Sequence, residues 1–157
     1  MIYEFCAENV TLLEKAMQAG ARRIELCDNL AVGGTTPSYG VTKAAVELAA
    51  NYDSTIMTMI RPRGGDFVYH DLEIAIMLED IRLTAQAGSQ GVVFGALTAD
   101  RKLDKANLEK LIAASKGMEI VFHMAFDELS DEDQLEAIDW LSQAGVTRIL
   151  TRAGVSG

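Results

Sequence analysis

Short apolar runs of β type alternate with amphipathic stretches of helical period along the whole chain, and this alternation limits the fold more than any other feature. The expected strands are 2–6, 22–27, 55–61, 91–96, 119–124 and 147–151. Between them, Val41, Ala44, Ala45, Leu48 and Ala49 form one helical stripe, and Ile74, Met77, Leu78, Ile81 and Ala85 another. A third helix starts at Ser130, with Asp133 three residues on in a capping-box pattern. Asp71 and Asp104 read as helix N-caps, and Gly20, Gly88, Gly117 and Gly145 as helix stops. Strands alternating with helices imply a parallel sheet, either a barrel or doubly wound. No linker or low-complexity stretch divides the chain, so one domain over residues 1–157 is expected.

The direction of side chains decides between the two sheets. Strand 1 reads Tyr3-Glu4-Phe5-Cys6 and strand 2 reads Ile24-Glu25-Leu26-Cys27, so the same Glu-x-Cys pattern occurs twice. Alternation sets Glu4 and Cys6 on one face and Tyr3 and Phe5 on the other, with Glu25 and Cys27 likewise opposed to Ile24 and Leu26. A carboxylate packed against the apolar face of a helix would be buried without a partner, at high cost. The carboxyl and thiol groups should therefore face the inside of a barrel. An open sheet covered by helices on both sides offers them no place, so the fold class expected is α/β, a TIM-type (β/α)8 barrel. On strand 5, Ile120, Phe122, Met124 and Phe126 should meet the helices, turning Val121, His123 and Ala125 inward.

Three groups of residues carry chemistry. If the paired strands align Cys6 with Cys27, two sulfurs come near enough to share an ion, and thiolates select Cu(I) among soft metals. Zinc wants four ligands, and only His123 and the carboxylates are at hand to complete its set. Both cysteines can equally be small buried hydrophobes. The second group is Arg61-Pro62-Arg63-Gly64-Gly65-Asp66 at the end of strand 3. Arg61 is placed to neutralise the interior glutamates, and Arg61 with Arg63 could hold a small carboxylate or phosphate. The third is His123 with Asp127, where the imidazole can transfer protons, ligate a metal or simply be a hydrogen-bonded core residue. Barrel sites gather at the C-terminal ends of the strands, where Glu4, Glu25, Arg61 and His123 are expected to collect.

The runs FCAEN, RIELCDNL, GGTTPSYG, IRPRGGDFVY, GVVFGALT, FHMAFD and RILT, in that order from about residue 2 to 151, resemble the CutC family of cytoplasmic copper-homeostasis proteins. The resemblance implies a (β/α)8 barrel, a homo-oligomer and copper held by Cys6 and Cys27. It also implies a pocket of Glu4, Glu25, Arg61, Arg63, Asp66, His123 and Asp127. Many members carry Arg where this chain has Met124, a position that strand parity turns outward. The chain stops just after strand 6, so strands 7 and 8 of such a barrel are not in it. It is then either a fragment or a barrel whose open edges another chain covers.

Two functions follow as expectations. One is a copper-homeostasis protein binding Cu(I) through thiolates. The other is a barrel enzyme acting on a small anionic substrate, with Glu4, Glu25 or His123 moving protons. The charge of −9 disfavours nucleic-acid and anionic-membrane partners. The first residues, MIYEFCAENV, carry no signal-peptide pattern, which sets the expectation of a cytoplasmic protein.

Overall fold

The computed structural model describes residues 1–152. In chain order the elements are β1 (Glu4–Glu8), α1 (Leu13–Gln18), β2 (Arg23–Cys27), α2 (Tyr39–Ala50), β3 (Thr55–Met59), α3 (Asp71–Gln86), β4 (Gly91–Phe94), α4 (Lys105–Ala114), β5 (Glu119–Phe122), α5 (Asp131–Ala144) and β6 (Arg148–Ile149). Short 3-10 turns occupy Leu30–Val32 and Met124–Glu128. Every strand pairs in parallel with the next, in the order β1-β2-β3-β4-β5-β6. A doubly wound sheet reverses its order at a switch point. This sheet never does, and it curls into part of a TIM-type barrel with the helices outside.

Side-chain parity explains the layers. Ile24, Leu26 and Ile56 point outward and are fully buried with Leu13 and Met17 of α1 and Ala45 and Ala49 of α2. Val92, Phe94, Ile120 and Phe122 pack with Ile74, Met77 and Ile81 of α3, Leu108 and Leu111 of α4, and Leu141 of α5. Each such Leu, Ile or Phe contributes roughly 1.5–3 kcal/mol on burial, so no competing register that exposed these rows would survive. The inner face is a smaller set: Cys27, Met57, Met59, Val93 and Val121.

The helix starts follow the polar residues before them. Ser38, Asp104 and Ser130 accept hydrogen bonds from the backbone N–H of Val41, Asn107 and Asp133. The cap of α3 is His70 rather than Asp71. Its Nδ1 accepts from Glu73 N at 3.4 Å, and the Glu73 carboxylate accepts from His70 N at 3.1 Å, a capping box with imidazole in place of hydroxyl. Asp71 becomes the first helical residue instead.

Strand ends depart from the sequence expectation in informative ways. β1 runs two residues further than expected, bringing Glu8 into the sheet beside Cys27. β5 stops at Phe122, because the chain turns at His123, whose Nδ1 accepts from Ala125 N at 3.1 Å. Beyond that turn the alternation no longer holds. Ala125, expected inward, lies in the helix-facing core, and Met124, expected outward, swings round to the barrel mouth.

Candidate functional site

Glu25 sits at the middle of β2 with its side chain inside the barrel and only 7% of its surface exposed. Its register partner is Cys6, while Cys27 pairs with Glu8. The cysteines are therefore not aligned, as the sequence reading supposed, but offset diagonally around the carboxyl group. The offset still converges: Cys6 Sγ, Cys27 Sγ and a Glu25 oxygen all lie within 4.8 Å of one another. Both thiols donate to the same oxygen, Cys6 at 3.6 Å and Cys27 at 3.7 Å to Glu25 Oε1. Cys6 is exposed and Cys27 completely buried. The loop after β2 closes tightly over Cys27 at Gly34, where a Cβ would lie 3.0 Å from the sulfur.

The electrostatics favour protonated groups in this cluster. Burial, and then the charge of Glu4, raise the Glu25 pKa above the usual carboxyl range. The hydrogen bond with Cys6, then burial, then the charge of Glu25 push the Cys27 thiol up.

Above the cluster lies a cavity of about 300 Å³ at the C-terminal end of the strands, bordered among others by Glu25, Met59, Arg61, His123, Asp127 and Leu150. Glu25 and His123 thus share one side of the β layer. Arg61 and His123 are 5% and 3% exposed. Arg61 does not neutralise the glutamates as expected. Its Nη1 donates to the carbonyls of Val32 at 2.7 Å and Gly34 at 3.0 Å, and its Nη2 donates to that of Gly65 at 2.8 Å. It clamps the loops after β2 and β3 together, with no carboxylate partner among the described residues. Burial, then the nearby Arg61 charge, lower the His123 pKa to about 3, so its imidazole is neutral at pH 7.

Of the remaining sequence-predicted residues, Glu4, Arg63 and Asp66 lie elsewhere. Glu4 pairs with Arg23 at 3.3 Å, at the opposite, N-terminal end of the strands, where Glu119 and Arg148 pair at 3.0 Å. Arg63 leaves the cavity to bind the Glu73 carboxylate and Asp66, and stacks its guanidinium on Tyr69. Asp66, in turn, caps the N–H of Val68. Arg63 and Asp66 brace the loop after β3 instead of lining the mouth. Asp127 does border it, accepting from the Thr151 hydroxyl and from Arg152 N at 3.0 Å. Phe67 and Arg152 border the cavity without having been singled out, and Met124, expected outward, borders it too. Arg152 Nε donates to the Met124 sulfur at 3.3 Å, a contact between residues on separate strand ends that periodicity does not reveal.

Comparison with known proteins agrees with this architecture. The CutC family model matches residues 1–156. CutC from Enterococcus faecalis is 54% identical over 157 residues, covering the whole chain and 75% of that relative. CutC from Streptococcus pyogenes is 52% identical over 151 residues, covering 96% of this chain and 72% of the other. Among solved structures, CutC from Streptococcus agalactiae, described as a proposed copper homeostasis protein, superposes with a TM-score of 0.95 at 47% identity. That match covers 99% of this chain and 74% of that one. A proposed phosphonomutase from Burkholderia cenocepacia shares the fold alone, at a TM-score of 0.70 and 18% identity over 96% of this chain and 64% of its own. With a family model spanning nearly every residue and relatives identical at more than half the aligned positions, the chain belongs to the CutC family.

Proposed function

We propose that this protein serves copper homeostasis by binding Cu(I) through the thiolates of Cys6 and Cys27. The supporting observation is the convergence of two sulfurs and one carboxylate oxygen within 4.8 Å. Two soft sulfur donors suit Cu(I), whereas zinc wants four ligands and this group offers three among the described residues. Binding a metal requires loss of the thiol protons. Glu25, which accepts from both thiols, keeps an acceptor oxygen at the site.

The reading places the protein in the cytoplasm, supported by two free thiols suited to a reducing compartment. Among the described residues no helix is long and apolar enough to cross a membrane. It also makes the protein a homo-oligomer, a reading that rests on the resemblance to the CutC family alone.

Anaerobic Cu(I) titration against a competing chelator tests the assignment. The wild type should take up one equivalent, and Cys27→Ser and Cys6→Ser should each bind at least about a hundredfold more weakly, a loss of roughly 2.7 kcal/mol. Wild-type stoichiometry and affinity in both variants would rule out the thiolate site.

A further inference from the structure

Three buried side-chain atoms have no hydrogen-bond partner among the described residues, Arg61 Nε, His123 Nε2 and the Tyr69 hydroxyl, and the first two are N–H donors on residues that line the barrel-mouth cavity. Their neighbours on the same side chains have partners. Arg61 Nη1 and Nη2 hold the three loop carbonyls, and His123 Nδ1 accepts from Ala125 N. Because Nδ1 is an acceptor, the neutral imidazole carries its proton on Nε2. The wall thus holds two donors and one buried guanidinium with no carboxylate partner. Buried donors and unpaired buried charges are both costly, and functional sites are where folds retain them.

Phe67 lies over both residues. Its ring centre is 5.1 Å from the Arg61 guanidinium carbon and 4.9 Å from the His123 ring centre. It belongs to the loop after β3, and one edge of that loop borders the cavity. Both nitrogens are closed to solvent beneath it, so a ligand reaches them only by displacing this ring. The rest of the lining is mixed: Met59, Met124 and Leu150 are apolar, and Glu25, Asp127, Glu128 and Arg152 are ionisable.

We propose that the cavity binds a small monocarboxylate, whose oxygens accept from Arg61 Nε–H and His123 Nε2–H while its apolar body rests on Phe67, Met59 and Leu150. The carboxylate supplies the anion that Arg61 lacks. A carboxylate offers one oxygen to each of the two donors, and the three carboxyl groups of the lining, Glu25, Asp127 and Glu128, outnumber its two cations, Arg61 and Arg152, which disfavours a dianion such as phosphate. This site is separate from the Cys6–Cys27 pair, so its test does not depend on copper.

The probes are acetate, pyruvate and butyrate, with inorganic phosphate and butyramide as controls, titrated into the reduced protein. Calorimetry gives the affinity, and the ring N–H resonance of His123 in nitrogen-15 NMR reports on the donor directly. One or more monocarboxylates should bind at one equivalent and move that resonance, more tightly than phosphate or butyramide. His123→Asn keeps an acceptor near Ala125 N but removes the Nε2 donor, and it should bind about tenfold to a hundredfold more weakly while still melting cooperatively as a folded protein. Arg61→Lys is the second variant, and it should lose affinity by a similar factor if it folds. Binding of no carboxylate, a stationary His123 resonance, tighter binding of phosphate, or undiminished binding in His123→Asn would each overturn the proposal.

Discussion

A methyl group added at Gly95 tests how tightly the barrel mouth is held. Gly95 follows β4, and a Cβ there would stand 2.6 Å from His123 Cε1, 2.8 Å from His123 Nδ1 and 3.0 Å from Ala125 Cβ. The imidazole cannot simply step aside. It is 3% exposed, its backbone N–H donates to Phe94 O at 3.1 Å, and Phe67 and Phe122 flank the ring. Relieving the clash means turning the ring and breaking the Nδ1 bond to Ala125 N. Overpacking costs roughly 1–3 kcal/mol, and the lost hydrogen bond about 0.5–1.5 kcal/mol. Gly95→Ala should therefore destabilise the protein by about 2–4 kcal/mol. With a urea slope of roughly 2 kcal/mol per molar, the unfolding midpoint falls by about 1–2 M. In a His123→Ala background the same substitution should cost less than about 1 kcal/mol, because the obstructing ring is gone. A loss below about 1 kcal/mol in the wild-type background, or an equal loss in both backgrounds, refutes the steric argument.

Three further outcomes follow from the same geometry. A thiol reagent such as Ellman's should titrate exposed Cys6 at once and buried Cys27, whose thiol is pushed up, only after unfolding. Equal rates for the two would contradict the burial. Glu25 has its folded pKa raised by burial and then by Glu4, so the folded state holds its proton more tightly than the unfolded chain. The metal-free protein should then lose stability as pH rises from the ordinary carboxyl value of 4.5 through the raised one. Glu25→Gln should flatten that part of a melting-temperature profile against pH, and an unchanged profile would count against the burial cost. Glu73 is the opposite case: its hydrogen bond with Arg63 holds its pKa below the ordinary carboxyl value, so its contribution is present above that value and fades as pH falls through the lowered one. Glu73→Gln should melt below the wild type at pH 7, with the gap narrowing as pH falls through the lowered value, and a gap independent of pH would refute the pairing.

What the sequence made legible, and what it did not, divides along the range of the interactions involved. The opposition of Ile24 and Leu26 to Glu25 and Cys27 is local, a property of strand period, and the structure keeps it. The convergence of Glu25 and His123 on one cavity follows from the same rule. Register between strands is not local: nothing in either Glu-x-Cys run states that Cys6 opposes Glu25, so the diagonal arrangement of sulfurs was out of reach. Parity also fails without warning where a strand ends in a tight turn, as at His123, and Met124 was misplaced for that reason.

The loop arginines expose a different limit. Arg61 and Arg63 look interchangeable in Arg-Pro-Arg-Gly-Gly-Asp, yet one is buried at the mouth and the other binds Glu73 on the next helix. The separation depends on backbone that ordinary residues rarely adopt. Gly33 and Gly34 have φ of 90° and 91°, and Gly65 has φ of 85°. In those left-handed turns the carbonyls of Val32, Gly34 and Gly65 are brought together to meet Arg61. Once those carbonyls hold the guanidinium, it no longer needs Glu25, and Glu25 is left to the two thiols. The glycines of the loops thus settle which partners the charged groups of the barrel keep, and they do so without touching the cysteine cluster except at Gly34.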